Sequence, residues 1–352
     1  MTTASREGAQ GLAALVAEGL LPPGRAWVGP EGSPRRPGDR EAIEWIPAQG
    51  PPLVVKLYPD RNEGSASYRI LRAVWQQGFG PGSPYRVPEP LRWSPAQSAI
   101  VMRRAPGRCL GDLRPDEADW LEGIRAAARW LARLHTSSLR VGPRDERSRA
   151  SERLSRRLSK AVERHPHLGG LLRTCMDELA HRARSVAASQ CQTHGRFHPG
   201  HVFVTPDVVT VIDLDRAAPA DPAKDVAEFI HRARAEVFKR GCGGPAAEEA
   251  TQTFLEEYRR QSPARLDALT YFWSESLLAT LLHAVRKRHL HEEAWQARIT
   301  FYAREFDHVP ELVPSYNLPS AAAGCRTGGG GDLTRTGRPR GTGPMRGPNQ
   351  EE

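Results

Sequence analysis

The sequence predicts an α+β fold with two lobes, a small β-rich N-terminal lobe followed by a larger, mainly helical C-terminal lobe. Three observations lead to this prediction. Short β-branched runs fall mostly within the first hundred residues. Apolar residues recur at helix spacing through much of the remaining chain. One short β island, residues 202–212, interrupts the helical part and reads as a hairpin.

The N-terminal part carries most of the strand signals. Residues 1–24 have the pattern of a small amphipathic helix or extension. A further helix is predicted over residues 65–77, because Gly78 provides a stop signal. Strands are predicted at residues 42–46, 53–58 and 99–102.

Beyond Asp112 the pattern becomes helical. Five apolar residues repeat at helix spacing in one stretch, namely Trp120, Ile124, Ala127, Leu131 and Leu134. This stretch predicts a helix over residues 119–135. Helices are also predicted over residues 151–189, which are heavily charged, and over residues 223–306.

These changes in pattern divide the chain into four segments. They are an N-terminal helix or extension at residues 1–24, a β-rich N-terminal lobe at 25–104, a helical lobe at 105–318 and a tail at 319–352. The tail is rich in Gly and Arg and has almost no apolar residues. Because it cannot bury enough surface to offset its ordering entropy, we expect it to be disordered.

The composition narrows the classes of function. Lys plus Arg number 50 and Asp plus Glu 41, so the formal net charge is +9. A basic surface favours anionic partners, or is simply solvated. No basic block with interleaved aromatic residues occurs, which disfavours nucleic-acid binding. No apolar run approaches bilayer length, so no membrane association is expected. Five cysteines without metal spacing fit a reduced, cytoplasmic compartment.

The densest polar sequence flanks the predicted hairpin. It comprises His-Gly-Arg at residues 194–196, His201, Ile-Asp at 212–213, and Asp-Pro-Ala-Lys-Asp at 221–225. This order resembles the catalytic region of the aminoglycoside phosphotransferase and choline kinase family. That family has His-x-Asp, an Asn five residues later, a hairpin, Ile-Asp and then Asp-Pro-x-x-Asp. The resemblance extends over residues 25–310 and implies a protein-kinase-like fold with ATP and Mg²⁺ as cofactors.

The resemblance also implies roles for residues of the nucleotide site. Lys56, in its predicted strand, would hold nucleotide phosphates, and Asp213 would bind Mg²⁺. Met102 is a further candidate residue for binding the nucleotide. From the residues alone, Lys56 also fits a solvated strand lysine, and Asp213 fits a turn residue.

Two further elements of the nucleotide site match the family only loosely. The helix glutamate that pairs with the strand lysine would fall near Ser67, and Glu63, one turn earlier, is the candidate substitute. Residues 29–32 are a loose candidate for the Gly-rich cover of the phosphates.

The catalytic loop departs from the family pattern. Arg196 stands where the resemblance places the catalytic Asp, and His201 stands where it places a metal-binding Asn. Arginine cannot accept a proton, but it can hold a phosphate in a bidentate way. Imidazole suits Mg²⁺ less well than an oxygen ligand. Asp215 is the candidate for orienting the acceptor, for sharing the cation or for capping a turn.

Two functions remain open from the sequence. The first is ATP-dependent phosphoryl transfer to a small hydroxylated molecule or a biosynthetic intermediate. The second is a catalytically impaired pseudokinase that binds nucleotide or a protein partner as a regulator or scaffold, as Arg196 and His201 suggest. Under the first, the helices after residue 223 supply the acceptor pocket. Candidate residues there for a cationic acceptor are Glu228, Glu236, Glu256 and Glu257.

Overall fold

The structure is a computed structural model that describes residues 6–27, 40–143, 147–183, 190–286 and 292–316. The predicted two-lobed α+β architecture is confirmed. The predicted tail and the candidate phosphate cover at residues 29–32 both lie outside the described residues.

Strands of the N-terminal lobe form an antiparallel sheet with helices on its two faces. In sheet order the strands are β1 (Gly24–Trp27), β2 (Glu41–Pro47), β3 (Leu53–Leu57), β6 (Ala99–Arg103) and β5 (Pro90–Ser94). Helix α1 (Arg6–Ala17) packs through Leu12 and Leu15 on one face. Helix α2 (Arg61–Gln76) packs through Ile70 and Leu71 on the other. The helix predicted at residues 65–77 therefore begins four residues earlier, where Asp60 caps it.

The alternation of side chains along β3 decides where Lys56 points. Val55 is fully buried among the residues that pack against α1. Its neighbours Val54 and Lys56 point to the opposite face, because successive strand residues alternate. There they pair across the sheet with Met102 and Ile100. This second face packs against the C-terminal lobe, so Lys56 is directed toward the junction of the lobes.

The predicted hairpin belongs to a larger sheet. The hairpin strands are β9 (Val202–Val204) and β10 (Val209–Val211), flanked by β7 (Arg108–Cys109) and β4 (Tyr85–Arg86) in the order β4-β10-β9-β7. The hairpin predicted over residues 202–212 is therefore paired with a further strand on each side. The flanking strands have two residues each, which is too short to show an alternating pattern. A separate ribbon pairs β8 (Cys191–Thr193) with β11 (Ala218–Ala220).

The C-terminal lobe is mainly helical, as predicted. Its helices are α3 (Ala118–His135), α4 (Arg147–Arg164), α5 (Gly169–Arg182), α6 (Pro222–Lys239), α7 (Gly244–Gln261), α8 (Leu269–Arg286) and α9 (Glu292–Ser315). Helix α3 packs on α7, and α8 packs on both α6 and α9. Trp120, Trp130 and Trp273 are fully buried in the core between them.

The helical region predicted over residues 151–189 contains two helices in its described part, α4 and α5. The break falls at His165 and Pro166, where proline disfavours a helical conformation in the residue before it. His165 accordingly has φ −135° and ψ 71°. Within the described ranges, no helix has the length and apolar character needed to cross a membrane.

Candidate functional site

Lys56 and Asp213 meet at the junction of the two lobes. The Lys56 ammonium lies 2.6 Å from Asp213 Oδ1 and 2.6 Å from Asp215 Oδ2. Asp213 follows β10 and adopts a left-handed backbone conformation, with φ 66° and ψ 55°. Asp tolerates this conformation better than most residues with a side chain. The turn therefore brings a carboxylate from the C-terminal lobe onto a lysine of the N-terminal sheet.

The environment keeps the Asp213 carboxylate ionised. Burial by itself would raise its pKa, but the charge of Lys56 and its hydrogen bond lower the pKa of Asp213 below its usual value. The Asp213 side chain retains 25% exposure. A charged, partly accessible carboxylate of this kind can accept a cation from solvent.

We call the cavity around this pair the lysine pocket. It has a volume of about 280 Å³ and is defined by Lys56, Ile100, Met102, His201, Asp213 and Asp215. Its walls are thus apolar at one end and charged at the other. Small-molecule pockets commonly combine an apolar wall with a few charged groups that fix orientation.

Asp215 lies in the lysine pocket and makes several contacts there. Its side chain is 8% exposed, accepts a hydrogen bond from Tyr58 at 2.9 Å, and pairs with Arg40 at 3.0 Å. Through these partners Asp215 stands beside Lys56, and it is absent from the described lining of the cavity that contains Arg196. A role for Asp215 in orienting the acceptor stays a prediction.

Glu63 does not pair with the strand lysine. Its salt bridge is with Arg40, which also contacts Asp215. The position one helical turn further on is Ser67, which is buried and lines the lysine pocket. The interpretation of Glu63 as the partner of Lys56 was wrong, because Asp213 and Asp215 together satisfy the lysine.

The His201 imidazole faces Asp213. Its Nδ1 lies 3.0 Å from the carbonyl oxygen of Arg196, and its Nε2 lies 3.5 Å from Asp213 Oδ2. Burial, and then the neighbouring His198 and His194, lower the pKa of His201 to about 2. Because a carbonyl oxygen only accepts, the proton of the neutral ring sits on Nδ1. The lone pair of His201 Nε2 and the Oδ2 atom of Asp213 therefore lie side by side as two possible metal ligands.

This pair of atoms bears on which metal ion fits. Mg²⁺ prefers oxygen ligands and often takes one or two carboxylates plus substrate phosphates. Asp213 meets that need, whereas the nitrogen of His201 is better matched to a softer divalent ion. In the described ranges, no group of three or more His, Cys, Asp or Glu side chains is arranged to hold a metal by itself. The residues thus fit a divalent cation that is shared with a phosphate.

A buried carboxylate supports the loop between β8 and β9. Asp225 is fully buried and accepts hydrogen bonds from the backbone N–H groups of His194, at 2.6 Å, and Gly195, at 2.8 Å. His135 Nε2 lies 3.3 Å from the same carboxylate. Burial would raise the pKa of Asp225, but the His135 hydrogen bond and charge lower it below the usual value. Asp225 therefore braces this loop, and His135 supports the carboxylate from α3.

Gly195 fixes the direction of the residue that follows it. Its φ is 80°, and a Cβ at this position would lie 2.0 Å from the carbonyl oxygen of Arg216. Only glycine fits such a conformation and such a close approach. Arg196 is thereby presented on the exposed side of the loop.

Arg196 lines a second cavity, which we call the basic cleft. It has a volume of about 830 Å³. Its cationic side chains define it: Arg153, Arg157, Arg196, Arg216, Lys224, Arg232 and Arg286. Its carboxylates are Glu228 and Glu275. The loop between β8 and β9 connects the two cavities, since His201 of the lysine pocket bonds to the carbonyl of Arg196.

The acidic residues predicted for an acceptor pocket do not form one. Glu236, Glu256 and Glu257 are absent from the described lining of the basic cleft. They contact Lys239, Gln252 and Arg129, respectively. Glu228 does line the cleft, but it pairs with Arg232 at 2.9 Å and with Ser276. Glu236, Glu256 and Glu257 thus lie outside the described lining, whereas a role for Glu228 toward a cationic acceptor stays a prediction.

A lysine and an aspartate that meet between two such lobes define the class of phosphotransferases with a kinase-like fold. The phosphotransferase enzyme family (APH) matches residues 44–268, well over half of the chain. The chain therefore belongs to this family. A comparison with curated protein sequences finds no match.

Solved structures share the fold at low sequence identity. An aminoglycoside-3'-phosphotransferase of type VIII is 19% identical, with a TM-score of 0.57 over 77% of this chain and 98% of that chain. An amicoumacin kinase is 15% identical, with a TM-score of 0.61 over 86% and 96%. A choline kinase from Streptococcus pneumoniae is 12% identical, with a TM-score of 0.57 over 85% and 99%. These likenesses establish the kinase-like fold.

Sequence reasoning missed part of the site. Tyr58 ends the predicted strand, and its contact with Asp215 has no signal in the spacing of residues. Arg40 follows the Gly/Pro/Arg stretch and gave no sign of pairing with Glu63. The arginines of the basic cleft stood out only as an excess of positive charge.

Proposed function

We propose that the protein binds ATP with a divalent cation, Mg²⁺ in the first instance, and transfers a phosphoryl group to an oxygen of a small-molecule acceptor. One observation carries this proposal. A lysine of the N-terminal sheet and a carboxylate of the C-terminal lobe lie 2.6 Å apart in one pocket. Phosphoryl transfer needs this pairing, because a cation must hold the phosphates and a carboxylate must hold the metal.

The names of similar proteins support the proposal. Those proteins include phosphotransferases that act on aminoglycosides and macrolides, and a choline kinase. The amicoumacin kinase was solved with AMP-PNP, Ca²⁺ and amicoumacin. A nucleotide, a divalent ion and a small acceptor are therefore the natural ligands to test first.

The residues of the lysine pocket suit distinct parts of the nucleotide. Ile100 and Met102 offer the apolar wall on which a base can stack, and Lys56 holds phosphate oxygens. Asp213 would hold the divalent cation, with His201 beside it. When bound, the cation neutralises charge on the phosphates and on the transferred group.

Arg196 changes what the acceptor side can do. It cannot remove a proton, and loss of a general base typically slows catalysis by about 10²–10⁴-fold. Transfer through a loose transition state depends less on a base than on position and charge. Arg196 can still contribute by holding anionic oxygen atoms.

A pseudokinase is the second candidate, and Arg196 and His201 favour it specifically. Such a protein would bind nucleotide in the lysine pocket without turnover and would signal its bound state to a protein partner. Both candidates require the lysine pocket, and they differ only in the formation of product.

Thermal unfolding with and without ligands tests the proposal. At about 100 times its dissociation constant, ATP with a divalent ion should stabilise the protein by about 2.7 kcal/mol, or about 5 °C in Tm. Asp213→Ala should abolish the dependence on the divalent ion, and Lys56→Met should remove most of the shift. Asp207→Ala, in the exposed turn of the same hairpin, is the matched control.

Release of ADP then separates the two candidates. We expect the wild type to form ADP in the presence of its acceptor, whereas a pseudokinase would show the thermal shift alone. A wild-type protein with no shift for any nucleotide, with or without Mg²⁺ or Mn²⁺, would contradict both candidates.

A further inference from the structure

The basic cleft has a charge that does not suit a cationic acceptor. Seven cationic side chains and two carboxylates line it in the described part of the chain. A volume of about 830 Å³ lies within the range of small-molecule pockets. Phe272, Leu154, Ser276 and Thr280 complete the walls, so the cavity also offers apolar and hydroxyl contacts. Arg153, Arg196, Arg216 and Arg286 are exposed, whereas Arg157, Lys224 and Arg232 are half-buried. The cleft is therefore open to solvent, and an anion can reach its guanidinium groups.

The carboxylates of the cleft do not neutralise its cations. Glu228 is held by Arg232 and Ser276. Burial would raise its pKa, but Arg232 and His231 lower the pKa of Glu228 to about 2. Its charge is therefore matched locally by Arg232, which lies on the same helix.

Five of the arginines form no salt bridge with a carboxylate of the described residues: Arg153, Arg157, Arg196, Arg216 and Arg286. These guanidinium groups come from separate elements, namely α4, the loop between β8 and β9, the turn after Asp213, and the end of α8. Burial, followed by the neighbouring Arg196 and Arg40, lowers the pKa of Arg216. Like charges are thus crowded, and a bound anion would relieve their repulsion.

We propose that the basic cleft binds an anionic small-molecule acceptor, a phosphate ester or a carboxylate, and that Arg196 and Arg216 hold its anionic group. The inference rests on the proposed function, since it assigns the acceptor class of that site. Guanidinium groups match phosphate and carboxylate in shape and can bind them through paired hydrogen bonds.

An anionic acceptor also accounts for arginine at the position of the base. A carboxylate or phosphate oxygen is already deprotonated at neutral pH, so no proton has to be removed. Its lone pair forms a bond to the γ-phosphorus while the bond from that phosphorus to the bridging oxygen breaks. ADP leaves with the electron pair of the broken bond. The product is an acyl phosphate from a carboxylate or a diphosphate from a phosphate ester.

Calorimetric titration of the full chain tests the binding step. The probes are citrate for the carboxylate class and fructose 1,6-bisphosphate for the phosphate class, with fructose and kanamycin as neutral and cationic probes. We expect at least one anion to bind more tightly than fructose and kanamycin, and more weakly as salt is raised. The anion that binds identifies which of the two classes the site prefers.

Variants locate the bound anion. Arg196→Gln and Arg216→Gln should each weaken anion binding by about tenfold or more, since each removes a charge-assisted contact. Arg125→Gln, on the exposed surface of α3, is the matched control and should leave binding unchanged. Lys56→Met should also leave it unchanged, which excludes the lysine pocket as the anion site.

Three binding results would overturn the inference: tighter binding of kanamycin than of either anion, no binding of either anion, or anion binding that survives both arginine variants. Failure of the proposed function is distinguishable. If ATP gave no thermal shift while the anions still bound, the proposed nucleotide binding would be contradicted and the inferred anion site would stand.

Product analysis tests the transfer step. ADP release is measured across hydroxylated compounds with and without carboxylate or phosphate groups, and the best substrate should be anionic. Phosphorus NMR of its product should show an acyl phosphate or a diphosphate. An ordinary phosphate ester of an alcohol would overturn the assignment of the reacting oxygen.

Discussion

The lysine pocket and the basic cleft share one loop but differ in chemistry. In the lysine pocket, a cation and two carboxylates satisfy one another at 2.6 Å, and the pairing follows the family pattern. In the basic cleft, seven cationic side chains face two carboxylates, and Arg196 stands where the family resemblance places the catalytic Asp. Under the proposed function, the nucleotide side of the site is therefore balanced in charge, whereas the acceptor side carries an excess of positive charge.

This difference bears on the choice of acceptor. Under the proposed function the basic cleft is the acceptor side, and its arginines come from five separate elements. A cavity with this excess of positive charge favours an anionic substrate over a cationic one.

The largest effect should follow from removing Asp225, which supports the loop shared by the lysine pocket and the basic cleft. Asp225→Ala leaves two backbone N–H groups and His135 without their buried acceptor. Breaking such a buried charged network typically costs about 3 kcal/mol or more, and a loss of about 6 °C or more in Tm would follow. Thermal unfolding measures the loss.

The neighbouring Asp221→Ala provides the control for that change. Asp221 caps α6 by accepting from Ala223 N–H, so its loss should cost about 1 kcal/mol. Equal losses for the two variants would show that Asp225 acts as an ordinary cap, and that the loop does not depend on it.

The second largest effect should come from restoring an acidic residue on the acceptor side. We expect Arg196→Asp to raise ATP hydrolysis by about 10²-fold, because a carboxylate at this position can accept a proton from water. The same change should abolish binding of anions in the basic cleft. ADP release and calorimetry measure the two outcomes, with Arg196→Ala as the control that removes the cation without adding a base.

An unchanged rate of ATP hydrolysis in Arg196→Asp, with nucleotide binding intact, would contradict this prediction. It would mean that the site lacks more than a general base. A fall in hydrolysis for Arg196→Ala would show instead that the guanidinium already acts on the transferred phosphoryl group.

The sequence predicted the lysine pocket better than the basic cleft. Lys56 lies in a β-branched run, and Asp213 follows a hairpin strand, so local patterns place both. The family resemblance then brings them together. The basic cleft joins residues such as Arg153, Arg232 and Arg286, which lie far apart in the chain, and no local period reports their convergence.

The fold shows the same limit. Long amphipathic helices and β-branched strands were predicted because their side-chain periods are explicit in the sequence. The two-residue strands β4 and β7 carry no period, since their pairing depends on the hairpin beside them. Likewise the pairing of Arg40 with Glu63 depends on where the N-terminal sheet meets α2.

A moderate effect should come from His201, which lines the lysine pocket and contacts the backbone carbonyl of Arg196. With a nitrogen ligand beside Asp213, the wild type should favour Mn²⁺ over Mg²⁺ in stabilising the AMP-PNP complex. His201→Asn replaces the nitrogen with an oxygen ligand and should tighten Mg²⁺ by about tenfold. Titration of each metal in thermal unfolding with AMP-PNP measures this preference.

The control for the metal preference is His308→Asn. His308 is exposed on α9, and its Nδ1 also contacts a backbone carbonyl, that of Arg304. It should leave both metal titrations unchanged. A wild type that already prefers Mg²⁺, with no change in His201→Asn, would place His201 outside the metal site and restrict the departure to Arg196.

The smallest effect should come from Glu228, the carboxylate of the basic cleft that pairs with Arg232. Glu228→Gln removes a negative charge and releases Arg232, so anion binding should tighten by about fivefold, on the order of 1 kcal/mol. Glu236→Gln, two turns further along α6 and outside the described cleft lining, is the matched control. Because the pKa of Glu228 is lowered to about 2, its carboxylate stays charged throughout pH 5–8. The ratio of the anion affinity of Glu228→Gln to that of the wild type should therefore be constant over that range. If this ratio fell to one toward pH 5, Glu228 would be taking up a proton there, and the prediction would be contradicted.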